Sequence, residues 1–362
     1  MSDPGYGPNR RAQGPKRVVV VDDSRSIRSW LCHVIGGDTR LEVVGEAADA
    51  NEARAVIKAT NPDVLTLDIE MPGINGLDLL ERLMRLRPMP VVMVSSLTKR
   101  GSDAAVRALS LGAVDCIVKP ANGMDAEIHR DLTRRVYAAA CSQFMTPSDA
   151  PAGPRATPPT RQHAAGHIVL IGASTGGVTA LETVLRGLDP MGPPVVIVQH
   201  MPGPFLVSFS QMLNSNLPQD IGLLEDGAAL LPGQVRLAPG EGLHSAAYHR
   251  LGKWCGTYGT GGNNDLHCPS VDALFFSAVT QASKVTAAIL TGLGKDGAAG
   301  LKALRDAGAH TIGQDRESAV VYGMPRVAFE MGAVCEQHRL EDIAEAITRA
   351  TGRKDVRQRA GS

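Results

Sequence analysis

The sequence predicts an α/β protein of two domains, each built around a doubly wound, mainly parallel sheet. Three observations support this fold class. Short apolar runs alternate with helical patterns in both halves, a proline-rich stretch at residues 142–166 interrupts the alternation, and 362 residues exceed the size of one ordinary core. We expect one domain over residues 17–141, a linker over 142–166 and a second domain over 167–352. The linker is expected to be semi-extended, and it could act as a passive tether or as a docking segment.

The first half repeats a strand followed by a helix five times. Apolar runs predict the strands, and apolar residues spaced by three and four predict the helices. The predicted strands are 18–21, 41–46, 63–67, 91–94 and 115–118, and the predicted helices are 27–35, 50–59, 76–87, 103–111 and 125–141. Regular alternation of this kind predicts a doubly wound parallel sheet, which binds ligands beyond the carboxyl ends of its strands.

Polar residues follow these predicted strands where the strands end. Asp22 and Asp23 follow the first strand, Asp68 the third, Ser95 the fourth and Lys119 the fifth. Three carboxylates in one pocket repel one another, and a hard divalent cation such as Mg²⁺ would hold them together. The hydroxyl and the lysine could contact a phosphoryl group carried by one carboxylate. The alternative is that the aspartates cap the next helix and the lysine is a surface charge.

The first half resembles the receiver domain of response regulators, the phosphorylated module of two-component signalling. The matching residues are Asp22-Asp23, Asp68 followed by Met71-Pro72-Gly73, Ser95 and Lys119-Pro120. The resemblance implies a flavodoxin-like (βα)5 fold in which Asp68 accepts the phosphoryl group and Ser95 and Lys119 contact its oxygens. It also implies that Mg²⁺ is held by Asp22, Asp23, Asp68 and the backbone carbonyl of Glu70. The sequence departs from the family at Cys116, where many receivers carry an aromatic switch residue.

In the second half, the apolar run that begins at Ile168 ends in a turn of small residues. The spacing Gly172-x-Ser174-x-Gly176 is typical of a nucleophile elbow, in which the glycines permit a sharp bend that presents the serine. Backbone N–H groups at the start of the next helix could stabilise an oxyanion. The alternative is a phosphate-binding nucleotide loop, but the turn lacks the G-x-G-x-x-G spacing.

Two further polar residues follow apolar strands in this half. His200 follows the run 195–198, and Asp296 follows the run 286–290. Histidine can accept the proton of a serine hydroxyl, and aspartate can fix the tautomer of the histidine, so the three residues predict a nucleophilic triad. The alternatives are a structural histidine and an aspartate that caps a helix.

The second half resembles the chemotaxis protein-glutamate methylesterases. The matching segments are Gly172–Gly177, Gln199–Pro202, Leu237–Gly240, Pro269–Asp272, Thr291–Gly297 and Val321–Arg326. The resemblance implies that Ser174, His200 and Asp296 are catalytic and that the backbone around Thr175 contributes to the oxyanion site. The family commonly has methionine and asparagine where this chain has Leu293 and Lys295.

The resemblance also implies an activity, its partners and its regulation. The expected enzyme demethylates glutamyl γ-methyl esters of methyl-accepting chemotaxis receptors and deamidates receptor glutamines, with no cofactor for the ester chemistry. A chemotaxis histidine kinase would supply the phosphoryl group. In this family an unphosphorylated receiver covers the esterase site, and phosphorylation uncovers it. A non-catalytic response regulator with a protein-binding output domain is the alternative.

Composition gives expectations about the partners and the location of the protein. Equal numbers of acidic and basic residues, 37 of each, give no electrostatic signature of a nucleic-acid or membrane surface. The six cysteines form no C-x-x-C pair, which predicts a reducing, cytoplasmic location without a disulfide framework or a zinc site. Residues 1–16 are expected to be a mobile tail, with no secretory signal, and residues 353–362 a basic tail. No apolar run is long enough to insert into a bilayer.

Overall fold

A computed structural model describes residues 14–71, 73, 75–119, 126–142, 163–260 and 268–352. Their contacts divide the described residues into two compact units, one drawn from residues 14–95 and 115–142 and the other from 96–114 and 163–352. Most of the predicted amino-terminal tail, most of the predicted linker and the predicted basic tail lie outside the described residues. The domain boundaries proposed from the sequence therefore stay predictions.

The first unit contains a five-stranded parallel sheet in the order β2-β1-β3-β4-β5. This order is the flavodoxin-like one, as predicted. The strands are β1 (Lys16–Val21), β2 (Leu41–Ala47), β3 (Val64–Asp68), β4 (Val91–Ser95) and β5 (Asp115–Val118), and the helices in this part of the chain are α1 (Arg25–Gly36), α2 (Ala50–Thr60), α3 (Gly76–Leu86), α4 (Lys99–Ser110) and α5 (Ala126–Ala140). By its contacts, α4 is grouped with the second unit.

The start of α4 corrects one sequence prediction. The helix begins at Lys99 and not at Asp103. Thr98 is its N-cap, because the Thr98 hydroxyl oxygen accepts a hydrogen bond from the Gly101 N–H at 3.0 Å. The first turn contains Lys99-Arg-Gly-Ser102 and no apolar side chain, so hydrophobic periodicity gives no sign of it.

The second unit contains a seven-stranded parallel sheet in the order β14-β13-β12-β6-β7-β9-β8, and β10 and β11 form a separate antiparallel pair. The strands are β6 (Ile168–Ala173), β7 (Val195–Gln199), β8 (Asp220–Leu223), β9 (Gln234–Leu237), β10 (Leu243–Arg250), β11 (Lys253–Thr260), β12 (Val285–Ile289), β13 (His310–Gln314) and β14 (Glu336–His338). The helices are α6 (Gly177–Gly187), α7 (Gly203–Asn216), α8 (Val271–Ser277), α9 (Ala298–Asp306), α10 (Met324–Glu330) and α11 (Leu340–Thr351), with a 3-10 helix at Val279–Lys284.

The three strands predicted from apolar runs in this half lie side by side at the centre of the sheet. Strand β6 pairs with β12 on one side and with β7 on the other. Strands β6, β7 and β12 are completely buried, which explains why they are continuous apolar runs without alternation. Their carboxyl ends therefore meet at one edge of the sheet.

A close approach between β6 and α8 fixes the position of that helix. A Cβ atom at Gly172 would lie 2.2 Å from Val271 Cγ1, so only glycine in the strand allows the helix to begin so near the strand end. Val271, Leu274 and Phe275 of α8 are fully buried and belong to the core of this unit. The amino terminus of α8 thus lies beside the carboxyl edge of the sheet.

Three other features of the described residues concern the cysteines, the end of the predicted linker and the helices. All six cysteines are free thiols. At the end of the predicted linker, His163 pairs with Gly352, and the Ala164 N–H donates to the Thr351 carbonyl at 2.9 Å. None of the described helices combines the length and apolar character needed to cross a bilayer.

Two adjacent phenylalanines on α8 test this packing. Phe275 is fully buried, whereas Phe276 is half exposed. We expect Phe275→Ala to lower the free energy of unfolding by about 3–5 kcal/mol through loss of apolar burial and creation of a cavity. Phe276→Ala is the matched control and should cost less than about 1 kcal/mol. Calorimetric unfolding of the full chain would measure both, and equal losses would contradict the assigned core.

Candidate functional sites

Ser174 and His200 follow the carboxyl ends of two adjacent strands. In the parallel pair of β6 and β7, Ala173 lies opposite Gln199. The His200 N–H donates to the Ala173 carbonyl at 3.1 Å, which continues the pairing by one residue. The structure therefore brings the serine turn and the histidine to neighbouring positions, as the sequence predicted.

Asp296 reaches the same edge from the other side of β6. It lies in the loop after β12, and its Oδ2 atom is 2.8 Å from Nε2 of His200. Both side chains are more than nine-tenths buried. When Nε2–H donates to this carboxylate, Nδ1 is the basic nitrogen of the imidazole. The predicted histidine–aspartate pair is therefore present in the structure.

The carboxylate of Asp296 is held by the amino terminus of α8. The N–H groups of Val271 and Asp272 donate to it at 2.7 and 3.0 Å, and the Ser270 hydroxyl donates at 3.0 Å. Helix amino termini stabilise negative charge because their N–H groups are unpaired within the helix. Asp296 does not cap the helix after it, since α9 has Gly297 as its N-cap and no side-chain cap, but it does accept hydrogen bonds from the amino terminus of α8.

These contacts decide the protonation state of Asp296. Burial alone would raise the pKa of this carboxyl. The hydrogen bond and charge of His200, together with the backbone N–H groups of Asp272 and Val271, outweigh burial and hold the pKa well below its usual range. Asp296 is therefore ionised at neutral pH and can orient the imidazole and stabilise an imidazolium.

Sequence reasoning did not assign a role to Ser270 or Asp272. Ser270 is the N-cap of α8 and also donates to Asp296, and the Asp272 carboxylate accepts the Gly300 N–H at 2.6 Å. A serine before an apolar run does signal a helix start. This signal does not reveal which carboxylate the helix terminus binds, because Asp296 lies 26 positions away from Ser270 in the chain.

Thr291 holds the serine turn from the β12 side. Its carbonyl accepts the Ser174 N–H at 3.0 Å, and its hydroxyl donates to the Thr175 carbonyl at 2.9 Å. The turn itself needs Gly176, which has a φ of +77° and precedes the first residue of α6. Ser174 and Thr175 are thus fixed at the amino terminus of α6, where the helix dipole favours negative charge.

The two departures from the family pattern lie in the loop after β12, which also contains Asp296. Leu293 is partly buried and Lys295 is exposed, whereas Gly292 and Asp296 are buried. A Cβ atom at Gly292 would lie 2.7 Å from Ser174 Cβ. The close packing against the serine at this position therefore requires a glycine, and Gly292 belongs to the segment that matches the family.

The first unit gathers the predicted acidic residues. Carboxylate oxygens of Asp22, Asp23 and Asp68 lie within 4.8 Å of one another. Lys119 Nζ lies 3.2 Å from Asp22 Oδ2 and 2.7 Å from Asp68 Oδ2. Ser95 ends β4, the strand beside β3, and is buried. Asp22 also accepts the Ser24 N–H at 2.9 Å, so it caps the following turn as well.

The charges of this pocket suit a divalent cation. Burial raises the pKa values of Asp68 and Asp22 above the usual range, although Lys119 opposes the shift. Burial would lower the pKa of Lys119, but the two aspartates outweigh it and raise this pKa. Three carboxylates facing one ammonium leave excess negative charge on oxygen atoms, which is the donor set that Mg²⁺ prefers.

Known protein families match both halves of the sequence. The model of the CheB methylesterase family matches residues 169–347, and that of the response regulator receiver domain matches residues 18–129. The protein-glutamate methylesterase/protein-glutamine glutaminase of Agrobacterium fabrum is 48% identical over 340 residues, covering 92% of this chain and 96% of its own length. A Caulobacter vibrioides protein of the same name with the suffix 1 is 48% identical over 335 residues, covering 91% and 96%. The crystal structure of the Thermotoga maritima CheB methylesterase catalytic domain is 33% identical, covers 51% of this chain and 99% of that domain, and has a TM-score of 0.49.

The ionised state of Asp296 predicts how stability depends on pH. Since its folded pKa is depressed, its contribution is present above the unfolded value near 3.8 and is lost as the pH falls toward the folded pKa. We expect Asp296→Asn to lower the Tm by roughly 5–10 °C at pH 6. The difference from wild type should shrink as the pH falls below about 4.

Asp272 is the matched control for this measurement. Burial raises the pKa of the Asp272 carboxyl above its usual range, so its ionisation opposes folding as the pH rises. The Tm difference between wild type and Asp272→Asn should therefore change with pH in the opposite direction. The same pH trend for both variants would contradict the assigned charge state of Asp296.

Proposed function

Because this chain belongs to the family of protein-glutamate methylesterases that join a response regulator receiver domain to a CheB methylesterase domain, we propose that Ser174, His200 and Asp296 carry its hydrolytic activity. The enzyme hydrolyses methyl esters of glutamyl side chains and converts glutamine side chains to glutamate in chemotactic adaptation. The observation that supports the proposed triad is the hydrogen bond between His200 and Asp296. His200 follows β7, which pairs with β6, the strand that precedes Ser174.

In the proposed mechanism, His200 accepts the proton of the Ser174 hydroxyl through Nδ1. The serine oxygen attacks the γ-carbonyl carbon of the methylated glutamyl side chain, and the imidazolium is stabilised by Asp296. The negative charge on the carbonyl oxygen develops at the amino terminus of α6, where the backbone around Thr175 supplies donors. The C–O bond to the methoxy group then breaks, and the leaving group takes the proton from His200 as methanol.

The acyl-enzyme is then hydrolysed by the same groups. His200 accepts a proton from water, the hydroxide oxygen attacks the acyl carbon, and the proton returns to the Ser174 oxygen as glutamate is released. A glutamine side chain presents a similar planar carbonyl, with ammonia in place of methanol as the leaving group. One set of residues thus accounts for both activities.

Substitution of Ser174 tests the proposed nucleophile. Ser174→Ala should lower methanol release from methylated receptor membranes by roughly 10³-fold or more, because the covalent pathway is lost. Ser210→Ala is the matched control, since Ser210 is also buried and its hydroxyl donates to the Val207 carbonyl within α7. Methanol release by Ser174→Ala at the rate of Ser210→Ala would overturn the proposal.

For the receiver domain, we propose Asp68 as the phosphoryl acceptor and Ser95 and Lys119 as the residues that contact the transferred group. Asp22, Asp23, Asp68 and the Glu70 carbonyl would hold Mg²⁺, which neutralises phosphoryl charge when bound. The clustering of the three carboxylates within 4.8 Å supports this assignment. A chemotaxis histidine kinase is the proposed phosphoryl donor, and methyl-accepting receptors are the proposed protein substrates.

Phosphorylation at Asp68 is proposed to activate the hydrolase. A phosphoryl group adds negative charge to a pocket that already contains three carboxylates, which favours a different arrangement of the surrounding loops. The cytoplasmic location and the lack of a nucleic-acid partner stay predictions from composition.

Acetyl phosphate with Mg²⁺ tests this regulation. Wild-type esterase activity should rise several-fold, roughly the range of allosteric couplings, whereas Asp68→Asn should keep its basal activity and show no rise. Asp78→Asn, on the exposed first turn of α3, is the control and should respond as wild type does. Activation of Asp68→Asn would exclude Asp68 as the acceptor.

A further inference from the structure

Gln199 connects the backbone of the proposed nucleophile to that of the proposed base. It is the last residue of β7 and is 3% exposed. Its side-chain Nε2 donates to the Ser174 carbonyl at 2.9 Å and to the His200 carbonyl at 3.3 Å. A single amide group thus bonds both catalytic loops just beyond the point where β6 and β7 end.

The surroundings of Gln199 fix the orientation of its amide. Both neighbours of Nε2 are carbonyl oxygens, which only an N–H group can bond, so the reversed amide would set three oxygens against one another. The Oε1 atom faces α6: a Cβ atom at Gly177 would lie 2.0 Å from it. The glycine at the first position of α6 therefore makes room for the side chain of Gln199.

The side-chain oxygen of Gln199 is not used in hydrogen bonding within the described ranges of the chain. Among the described residues, Gln199 Oε1 is buried without a hydrogen-bond partner. Burying an unpaired oxygen costs stability, and such groups in native proteins call for an explanation beyond packing. The contacts of Nε2 provide one, because they add a side-chain link between the segments of Ser174 and His200 to the backbone pairing of β6 and β7.

We propose that Gln199 is a positioning residue for the hydrolysis and holds Ser174 within reach of His200. The inference rests on the proposed function of those two residues. A displacement of about 1 Å between reacting groups can lower a rate by about 10²-fold. Since the amide bonds the backbone and not the substrate, its loss should lower kcat and leave KM nearly unchanged.

The chain offers a matched control at Gln219. This glutamine is also buried, its Nε2 donates to the Leu185 carbonyl at 2.8 Å, and its Oε1 likewise has no hydrogen-bond partner among the described residues. It precedes β8 and therefore lies at the opposite edge of the parallel sheet from Ser174. Gln199 and Gln219 thus have the same side chain and are both buried, but only Gln199 donates to the carbonyls of Ser174 and His200.

The experiment compares Gln199→Met, Gln199→Leu, Gln219→Met and Ser174→Ala in the full chain activated with acetyl phosphate and Mg²⁺. Methanol release from methylated receptor membranes gives kcat and KM, and thermal unfolding gives Tm. We expect kcat to fall at least about tenfold in both Gln199 variants, with KM within about twofold of wild type. Gln219→Met should keep kcat within about twofold of wild type, while its Tm should fall about as much as the Tm of Gln199→Met falls.

The outcomes separate the two proposals. If Ser174→Ala abolishes activity while the Gln199 variants keep the kcat of Gln219→Met, the positioning role is overturned and the triad stands. If both Gln199 variants fail to fold while Gln219→Met folds, the amide serves folding and the positioning role is again overturned. Activity retained in Ser174→Ala would instead refute the proposed nucleophile.

Discussion

The buried carboxylate of Asp296 is the group on which the carboxyl edge of the second sheet depends. An ionised side chain that is more than nine-tenths buried needs several donors, and it receives them from His200, Ser270 and the first N–H groups of α8. With Asp296 itself, these groups come from three segments that are distant in the chain. Loss of any of these hydrogen bonds would leave a buried charge incompletely paired. The carboxylate therefore constrains the positions of the histidine and of α8 together.

The two units solve the problem of buried carboxylates in opposite ways. In the second unit, His200 and the backbone N–H groups of a helix terminus together outweigh burial and lower the pKa of a single aspartate. In the first unit, three aspartates face one lysine, and burial raises the pKa values of Asp22 and Asp68. A carboxylate with all these hydrogen bonds suits a group that must stay ionised and keep a fixed position. An incompletely neutralised cluster suits a site that exchanges a cation and a phosphoryl group.

The sequence was most informative where polar residues follow apolar strands. Parallel strands place their carboxyl ends at one edge, so the runs before Ser174, His200 and Asp296 were enough to predict that these residues converge. The contacts that hold them were out of reach. Ser270 lies 26 positions from Asp296, and Gln199 reads as the end of an apolar strand, so neither partner is visible from periodicity. The antiparallel pair of β10 and β11 and the first turn of α4 also left no apolar signal strong enough to place them.

The positions of the family departures follow from the same packing. Around the serine turn, close approach leaves no room for a side chain at Gly292, since a Cβ atom there would meet Ser174 Cβ at 2.7 Å and the sulfur of Met324 at 2.3 Å. Lys295 is exposed and Leu293 is only partly buried, so their side chains can change without displacing the backbone that Thr291 and Asp296 anchor. The buried positions Gly292 and Asp296 of this segment are thus the ones that approach Ser174 and bond to His200.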